Sequence, residues 1–182
     1  MLPIHSFEAI IMVDSKASGM LVWGFGSRVI THPDPGSLVF SIMSRYFNPG
    51  DDLITGGARG TDDGMEKCVK KNHGDDHVKP SIKPYPHAGG ALARNVTLAK
   101  KCDRAIGIWC TASRTGRMRT ETDGTSIEMN RSGTVHSIIQ SMRYRKPLIL
   151  CVVLPDGRYY VLDLKADLIP DGCECTFERG KS

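Results

Sequence analysis

Short apolar runs alternate along this chain with segments whose apolar residues recur at helical spacing. The runs predict strands over Met20–Phe25, Asp52–Thr55, Arg104–Cys110 and Leu148–Leu154. The segments between them predict helices, the first of which carries Leu38, Val39, Ile42, Met43 and Tyr46 at helical spacing. Strands that alternate with helices in this way form a parallel sheet that is covered on both faces. The alternation therefore predicts a doubly wound α/β fold.

The remaining elements are less sharply defined by the pattern. Leu148–Leu154 is the most apolar strand, which predicts that it occupies the centre of the sheet. Pro155-Asp156-Gly157 predicts a turn into a hairpin strand over Tyr159–Leu164. The prolines in and around Ser81–Tyr85 restrict that segment to an edge strand at best. The later helices are striped by Met65, Cys68 and Val69, by Leu92, Val96 and Ala99, and by Val135, Ile138, Ile139 and Met142.

A chain of 182 residues fits one domain. We expect the folded domain over 20–164, with an N-terminal appendage over 1–19 and a C-terminal tail over 165–182 that the pattern assigns to no element. The longest apolar stretch, Pro147–Pro155, is far shorter than the roughly 20 residues that a membrane-spanning helix needs. The start of the chain also lacks the pattern of a secretory leader. We therefore expect no membrane partner.

The six cysteines contain no C-x-x-C pair, and most of them lie within apolar segments. Free buried thiols are typical of the reducing cytoplasm, which is the predicted location. Cys173 and Cys175 form a weak candidate pair of metal ligands, because two thiols with no histidine nearby make an incomplete site. We therefore expect no metal site.

Nineteen glycines are the unusual feature of the composition, and many of them follow a predicted strand. At 56–62 the sequence Gly-Gly-Ala-Arg-Gly-Thr-Asp nearly strips a strand-to-helix turn of side chains, so backbone N–H groups can approach an anion at the helix N-terminus. The spacing is neither that of an ATP-binding lysine loop nor that of a dinucleotide fingerprint. The turn is either a phosphate site or a tight structural turn. Asp62 either accepts from ribose hydroxyls or caps the helix.

Three further turns of small residues precede predicted helices, at 24–28, 89–95 and 131–134. The first ends in Arg28, whose guanidinium suits bidentate contact with phosphate. The second places Arg94 and Asn95 at the start of a helix. The loops at the carboxyl ends of parallel strands share one edge of the sheet. Together the four turns therefore predict a site for an anionic ligand of nucleotide size.

Met20–Arg28, Thr55–Asp62, Arg94-Asn95 and Ser132–Thr134, taken in this order, resemble the SLOG superfamily. That superfamily includes the DNA-processing protein A (Smf) proteins and the lonely-guy-like proteins, and the GGARGxD turn is similar to that of its YspA-related branch. The resemblance covers about residues 20–154. It implies a Rossmann-like domain that binds a nucleotide or a nucleotide-derived molecule, often as a homo-oligomer, with no other cofactor required. The ligand-binding positions that it implies are Gly24, Ser27, Arg28, Gly56, Gly57, Ala58, Arg59, Gly60, Asp62, Arg94, Asn95, Ser132, Gly133 and Thr134.

One departure from the superfamily concerns catalysis. Its hydrolytic members carry a glutamate at the position that His136 occupies here. An imidazole does not stabilise an oxocarbenium-like centre as a carboxylate does, so the replacement counts against cleavage of an N-glycosidic bond. Glu128 lies nearby in sequence and offers a substitute carboxylate. Arg94 matches an arginine that those enzymes use, so it is the candidate catalytic residue if the protein is an enzyme.

A second departure is a loop insertion over 111–131, which contains Arg114, Arg117, Arg119 and Arg131. A loop of this length in a compact domain is usually functional or disordered. It is therefore either a lid or oligomer contact beside the phosphate site, or a solvated loop. Trp109, just before the insertion, either stacks on a base or packs in the core.

The leading hypothesis is a protein that binds a nucleotide or nucleotide-derived small molecule, as a sensor or carrier. The first alternative is a phosphoribohydrolase that cleaves the N-glycosidic bond of a nucleoside monophosphate. The second alternative is a DNA-binding module. A net charge of +4 is small for a nucleic-acid-binding protein, so the sequence does not favour nucleic acid as the partner.

Overall fold

The computed structural model describes residues 19–82, 90–112, 117–120, 126–129 and 133–165. The helices in this part of the chain are α1 (Pro35–Tyr46), α2 (Thr61–His73), α3 (Gly90–Lys101) and α4 (Gly133–Arg143), with a 3-10 turn at Asp75–His77. The strands are β1 (Leu21–Gly26), β2 (Asp52–Thr55), β3 (Arg104–Cys110), β4 (Arg117–Thr120), β5 (Ser126–Met129), β6 (Leu148–Val153) and β7 (Tyr159–Leu164). Over the described ranges, every helix is too short or too polar to cross a membrane.

Five strands form one sheet in the order β2-β1-β3-β6-β7. The first four run parallel, and β7 pairs antiparallel with β6. This arrangement confirms the predicted α/β fold with a mostly parallel sheet. The prediction that Leu148–Leu154 occupies the centre is wrong, since β3 lies there. The hairpin strand β7 pairs with the outer side of β6. β6 is therefore the fourth of five strands, next to the edge strand, and β3 is the third.

The sheet separates two hydrophobic clusters, which establishes that helices cover both faces. One cluster joins α1 and α2 to the sheet through residues such as Ile42, Met65 and Ile106. The other cluster joins α3 to the opposite face of the sheet through residues such as Leu98, Trp23 and Leu150. Successive strand residues point to opposite faces, so β3 sends Ile106 into the first cluster and its neighbour Ala105 into the second.

Local sequence accounts for the start of α1. Asp34 is its N-cap, and its carboxylate accepts from the Ser37 N–H at 3.0 Å and from the Ser37 hydroxyl at 2.6 Å. Pro35 occupies the first turn, where a missing N–H costs no helical hydrogen bond. The predicted stripe of α1 is buried as expected, with Tyr46 at its margin.

The buried face of α4 differs from the prediction. The apolar stripe Val135, Ile138, Ile139 and Met142 is half-buried, whereas the fully buried residues are Thr134, His136, Ser137, Gln140 and Ser141. Small hydroxyl side chains are satisfied within the helix: Ser141 Oγ donates to the Ser137 carbonyl and Ser137 Oγ to the Gly133 carbonyl, each at 2.9 Å. This back-bonding allows a polar face to pack closely on α3. In α3, likewise, Leu98 and Ala99 are buried while Leu92 and Val96 are half-buried.

Two predicted segments also look different in the structure. Ser81 and Ile82 do not belong to a strand, and Val78 forms an isolated bridge with Leu53 instead; 83–89 lie outside the described residues. Within the insertion 111–131, β4 and β5 pair antiparallel as a separate two-stranded sheet. Part of the predicted loop is therefore a hairpin.

The described cysteines and Trp109 belong to or pack against the two hydrophobic clusters. Cys68, Cys102, Cys110 and Cys151 are buried, and burial raises the pKa of the Cys102 and Cys151 thiols to about 11. Trp109 is half-buried and packs against the cluster beneath α3. The appendage up to Ser18, the tail from 166 onward and the pair Cys173 and Cys175 lie outside the described residues.

Candidate functional site

The strand order reverses between β1 and β3. The chain passes from β1 to β2 on one side of the sheet and later crosses to β3 on the other side of β1. In doubly wound sheets, ligands bind outside the carboxyl ends of the strands at this switch point. The loops that follow β1 and β2 are therefore the first place to look for a site.

Ser27, directly after β1, ties the elements around the switch point together. Its N–H donates to the Ile108 carbonyl at 2.9 Å, and its hydroxyl accepts from the Cys110 N–H at 2.9 Å. Its carbonyl accepts from the hydroxyl of Thr61, the first residue of α2, at 2.6 Å. Ser27 is buried, so these bonds hold the loop in one position against β3 and α2.

A cavity of about 320 Å³ opens at the switch point. Its walls come from the loops after β1 and β2 and from the first turns of α3 and α4. They combine two guanidinium groups, one carboxyl group, hydroxyl and amide groups, and two aromatic rings. The described lining residues are Trp23, Phe25, Gly26, Ser27, Arg28, Gly56, Ala58, Asp62, Ala91, Leu92, Arg94, Asn95, Gly133, Thr134 and Ser137. A mostly apolar cavity with a few convergent polar groups is typical of small-molecule sites.

Three helices begin at this cavity. Asp62 is the second residue of α2, Ala91 the second of α3, and Gly133 the first of α4. The first turn of a helix has N–H groups without helical partners and carries the positive end of the helix dipole. The N-cap of α2 is Gly60, and no described side chain caps the start of this helix. The arrangement gives the cavity a favourable potential for an anion.

The glycines of the 56–60 turn permit close contacts. A Cβ on Gly56 would lie 2.8 Å from the Arg94 guanidinium, and one on Gly60 would lie 2.4 Å from the Arg28 carbonyl oxygen. Gly60 also has a φ of 93°, in the left-handed region that favours glycine. Of the two alternatives for this loop, a phosphate site or a tight structural turn, these contacts support the tight turn. They do not close the cavity, which Gly56 still lines.

Arg94 and Asp62 are the charged residues of the cavity whose pKa values burial shifts. Arg94 Nη1 donates to the Gly56 carbonyl at 2.7 Å, while its buried Nε has no hydrogen-bond partner in the part of the chain that the structure describes. Burial lowers the pKa of Arg94, and the Asp62 carboxylate opposes that effect. Asp62 is 4% exposed, and its burial raises its pKa to about 6, although the Ala58 N–H and the charge of Arg94 favour the ionised form. A carboxyl that titrates near neutral pH beside a half-buried guanidinium is a common feature of functional sites.

Asn95 and His136 form a buried polar contact between α3 and α4. Asn95 Nδ2 lies 3.0 Å from Ser137 Oγ, 3.2 Å from the Gly133 carbonyl oxygen and 3.5 Å from His136 Nδ1. His136 Nε2 lies 3.3 Å from Gln140 Nε2. Burial lowers the pKa of His136, so the neutral imidazole is favoured. Among the described lining residues of the cavity His136 does not appear, and its buried ring contacts Asn95 of α3 and Gln140 of its own helix.

Most of the predicted ligand positions lie around the cavity, and the others lie elsewhere. The structure brings Ser27, Arg28, Gly56, Ala58, Asp62, Arg94, Asn95, Gly133 and Thr134 together around the one cavity. Gly24 lies beneath it, where a Cβ would press on Met65 and Leu53. Gly57 and Arg59 lie on the outer side of the turn, beside Glu66, and Gly60 lines a separate groove. Ser132 is outside the described residues.

Several lining residues escaped the sequence analysis. Trp23 and Phe25 were assigned to the core because they belong to a strand, yet their rings also border the cavity, with centroids 4.8 Å apart. Ala91, Leu92 and Ser137 carry no distinctive motif, and only the positions of α3 and α4 reveal them. Gly26 could have been inferred, because it ends β1 directly before Ser27.

The polar residues beneath the turn form a second network. The Thr55 hydroxyl donates to the Glu66 carboxylate and accepts from the Gly57 N–H, the latter at 3.0 Å. This network anchors the turn from below. Within the described ranges, no cluster of three or more His, Cys, Asp or Glu side chains is arranged to hold a metal ion.

No known family model matches this chain, and no curated protein is a significant match. Among solved structures, the chain is similar to DNA processing protein A from Helicobacter pylori, whose structure was described for its single-stranded DNA binding mode. The two share 16% sequence identity with a TM-score of 0.46, over 73% of this chain and 65% of that one. This chain thus spans just under two thirds of the length of that protein. A likeness of this degree assigns neither a ligand nor an activity to this chain.

Proposed function

We propose that this protein binds a nucleotide or a nucleotide-derived small molecule in the cavity at the switch point. The observation that carries the proposal is the convergence of Arg28 and Arg94 on a cavity at which three helices also begin. Guanidinium groups and helix N-termini both favour phosphate, the first through charge-assisted hydrogen bonds and the second through free N–H groups. A cavity that combines guanidinium groups with helix N-termini is typical of a phosphate-binding subsite.

The rest of the cavity suits the remainder of a nucleotide. Ala91 and Leu92 provide accessible apolar lining against which a base can pack, above the buried rings of Trp23 and Phe25. Asp62 and Thr134 offer oxygen atoms that can accept from ribose hydroxyls. A cavity of about 320 Å³ is at the small end of ligand sites, which favours a mononucleotide-sized ligand over a dinucleotide.

The resemblance of four sequence stretches to the SLOG superfamily, and of GGARGTD to its YspA-related branch, supports the same proposal. Nine of the fourteen positions that the resemblance singles out lie around the one cavity. A cytoplasmic location and a homo-oligomeric state are further expectations from the thiols and from this resemblance.

Thermal denaturation with a ligand panel tests the proposal. The panel contains nucleoside monophosphates, cyclic nucleotides, NAD-derived molecules and a single-stranded oligonucleotide. We expect at least one small nucleotide to raise the melting temperature of the wild type, because a ligand that binds the folded state stabilises it. A folded protein that no small nucleotide stabilises would contradict the proposal.

Two arginine variants show whether the effect belongs to the cavity. Arg28 is exposed, so Arg28→Ala leaves the fold intact while it removes a cation from the site. Loss of a charge-assisted hydrogen bond of about 1.5–3 kcal/mol weakens binding by roughly 10- to 100-fold. Arg45→Ala, at an exposed arginine of α1 outside the cavity, is the matched control and leaves binding unchanged. Binding that is equal in both variants would place the ligand elsewhere.

Hydrolysis of an N-glycosidic bond is a second candidate, and one observation favours it. Asp62 faces the cavity with a pKa of about 6, a value suited to general acid–base catalysis near neutral pH. Chromatography of a nucleoside monophosphate incubated with the protein tests it. Free base that forms with the wild type and not with Asp62→Asn would establish the activity, whereas unchanged substrate at high protein concentration would exclude it.

The salt dependence of oligonucleotide affinity distinguishes DNA binding from both of these functions. A protein that neutralises several backbone phosphates releases counterions, so its affinity falls steeply with salt. If the single-stranded oligonucleotide binds tightly with such a dependence while mononucleotides do not, the protein is a DNA-binding module instead.

A further inference from the structure

A groove of about 540 Å³ runs between α1 and α2, next to the loop that follows β1. Its described lining is largely apolar, and two of the apolar side chains are exposed, Val29 at 66% and Phe40 at 44%. Exposed apolar residues gathered at one groove typically mark a binding surface. Among the described lining residues, Arg28 alone is shared with the nucleotide cavity, so the groove is a separate site.

The floor of the groove is apolar because of residues on both helices. Gly36, in the first turn of α1, leaves open space, since a Cβ there would have Asp34 Oδ1, at 3.6 Å, as its one described neighbour within 4 Å. Gly64 of α2 allows α1 to approach closely, since a Cβ there would lie 3.3 Å from a methyl group of Val39. Val39 is itself buried and lines the groove. A hydrocarbon chain therefore suits the space between the two helices.

The rim of the groove is basic. In the described part of the chain, all the charged residues that line it are exposed cations, namely Arg28, Lys67 and Lys71. Lys67 pairs with Asp63 at 2.8 Å, whereas neither Arg28 nor Lys71 forms an ion pair with a described residue. Lys71 Nζ lies 5.9 Å from the centre of the Phe40 ring, so a cation stands beside an exposed apolar side chain. Even with Asp63 counted, the rim carries a net positive charge and favours an acidic ligand.

The size of the groove distinguishes between a small molecule and a folded protein as that ligand. A volume of about 540 Å³ lies within the roughly 300–1,000 Å³ of small-molecule sites. The thirteen described lining residues are fewer than the about 20–30 residues that each side of a stable protein interface contributes. The groove therefore fits a small molecule better than it fits the surface of another protein.

We propose that the groove between α1 and α2 binds a small amphiphile that has one unbranched hydrocarbon chain and an anionic head group. The chain lies on the floor of the groove along Val39 and Gly64, and the head group pairs with Lys71 beside Phe40. The methylene stem of a lysine packs on apolar surface while its ammonium group stays in water, so Lys71 can contact both parts of the ligand. A carboxylate and a phosphate monoester both supply the anionic head.

Isothermal titration calorimetry on the full-length chain tests the proposal. The probes are octanoate, decanoate, decyl phosphate, decanol and decyltrimethylammonium, each at concentrations at which it stays monomeric. We expect decanoate to bind roughly 15-fold more tightly than octanoate, because each of its two additional methylenes contributes roughly fourfold, or about 0.8 kcal/mol. Decanol and decyltrimethylammonium should bind more weakly than decanoate, because neither carries an anion.

The two anionic decyl probes identify the head group. Tighter binding of decyl phosphate than of decanoate would assign a phosphate monoester to Lys71, and the opposite order would assign a carboxylate; either result supports an anionic amphiphile. Absence of binding by both anionic decyl probes, or equal affinities for the anionic and cationic decyl probes, would overturn the proposal.

Matched variants locate the site. Lys71→Gln removes the cation beside Phe40, and we expect it to weaken decanoate binding roughly two- to fivefold, the contribution of an exposed ion pair, and to leave decanol binding unchanged. Lys70→Gln, at an exposed position of α2 outside the described lining, is its control. Gly36→Leu fills the open space and should weaken both probes roughly tenfold by displacing methylenes. Ser44→Leu, at an exposed position of α1 outside the described lining, should leave both affinities unchanged.

If Gly36→Leu fails to fold, the comparison of Lys71→Gln with Lys70→Gln decides the outcome. Equal decanoate affinities in these two variants would overturn the proposal. Two other occupants of the groove would give different results. A membrane surface would appear as co-sedimentation with vesicles of anionic phospholipid without binding of monomeric decanoate. A second copy of the chain would appear in sedimentation velocity as a dimer that Gly36→Leu dissociates and decanoate does not. Either result would overturn the proposal.

Discussion

Replacing Asp62 with asparagine should change how the stability of this protein depends on pH. Asp62 is 4% exposed, and its burial raises the pKa from the ordinary 3.8 to about 6. That difference corresponds to about 3 kcal/mol, because one pKa unit is worth 1.36 kcal/mol. The charged carboxylate therefore destabilises the folded state by about 3 kcal/mol at neutral pH, and an asparagine of the same shape avoids this cost.

The sign follows from the protons bound in each state. Between pH 3.8 and about 6, the folded chain keeps the Asp62 proton while the unfolded chain has lost it, so rising pH favours unfolding. Below this window both states are protonated, and above it both are ionised. The contribution of Asp62 thus falls through the window and is constant above it. Asp62→Asn gains stability relative to the wild type over the same range.

Urea denaturation at several pH values from 4 to 7.5 measures the effect. The informative quantity is the difference in unfolding free energy between Asp62→Asn and the wild type, because other titrating groups cancel in it. We expect this difference to grow by about 2.4 kcal/mol from pH 4 to pH 7.5, since part of the full effect is already present at pH 4. Asp63→Asn, at the exposed neighbouring position, serves as the control for the loss of one carboxylate from the first turn of α2. A difference that stays constant, or that shrinks with pH, would refute the electrostatic account of the cavity.

Three further substitutions test the packing around the site, each by chemical denaturation. Gly60→Ala should cost several kcal/mol, because the residue has a φ of 93° and its Cβ would lie 2.4 Å from the Arg28 carbonyl oxygen; a cost below about 1 kcal/mol would contradict the reported turn. Asn95→Ala should cost about 1–3 kcal/mol through the lost hydrogen bonds to α4, and a neutral effect would show that the contact is dispensable. Asp51→Asn should destabilise the protein more at pH 7 than at pH 3. Burial opposes ionisation of this carboxyl, but its hydrogen bonds and Arg104 at 2.6 Å together hold its pKa below the usual value. An equal loss of stability at both pH values would contradict this explanation.

The strands could be predicted from sequence because their apolar runs are continuous and bounded by turn residues. β2, β3 and β7 begin and end at the predicted residues, and β1 is displaced by one. The position of a strand in the sheet is a different matter. Apolar character showed that β6 is buried on both faces, but β3 is equally buried, and only the pairing with β7 decides which of them is central.

The face of a helix that is buried could be predicted only where the helix packs through apolar side chains. α1 and α2 obey this rule, and their stripes are buried. α4 does not, because it packs closely on α3 through Ser137 and His136, whose polar atoms are satisfied by Asn95 and within the helix itself. Hydrophobic spacing contains no information about such a contact.

The candidate site was partly visible in the sequence for a physical reason. Small residues after parallel strands must lie at one edge of the sheet, so Ser27, Gly56 and Gly133 could be grouped without coordinates. Which residues of a turn face inward could not be derived in this way. Arg59 points to the outer side while Arg94, from a helix distant in sequence, fills the space beside Gly56.

Mapping a bound nucleotide by NMR tests the central claim most directly. The probe is the panel member that raises the melting temperature most, titrated into the isotopically labelled protein while backbone amide shifts are followed. We predict that the largest changes fall on Ser27, Ala58 and Thr134, which line the cavity from three separate elements. Arg28→Ala should require a roughly 10- to 100-fold higher ligand concentration for the same changes. Shifts that cluster on another surface, or that are absent at saturating ligand, would contradict the assignment of a nucleotide site to the switch point.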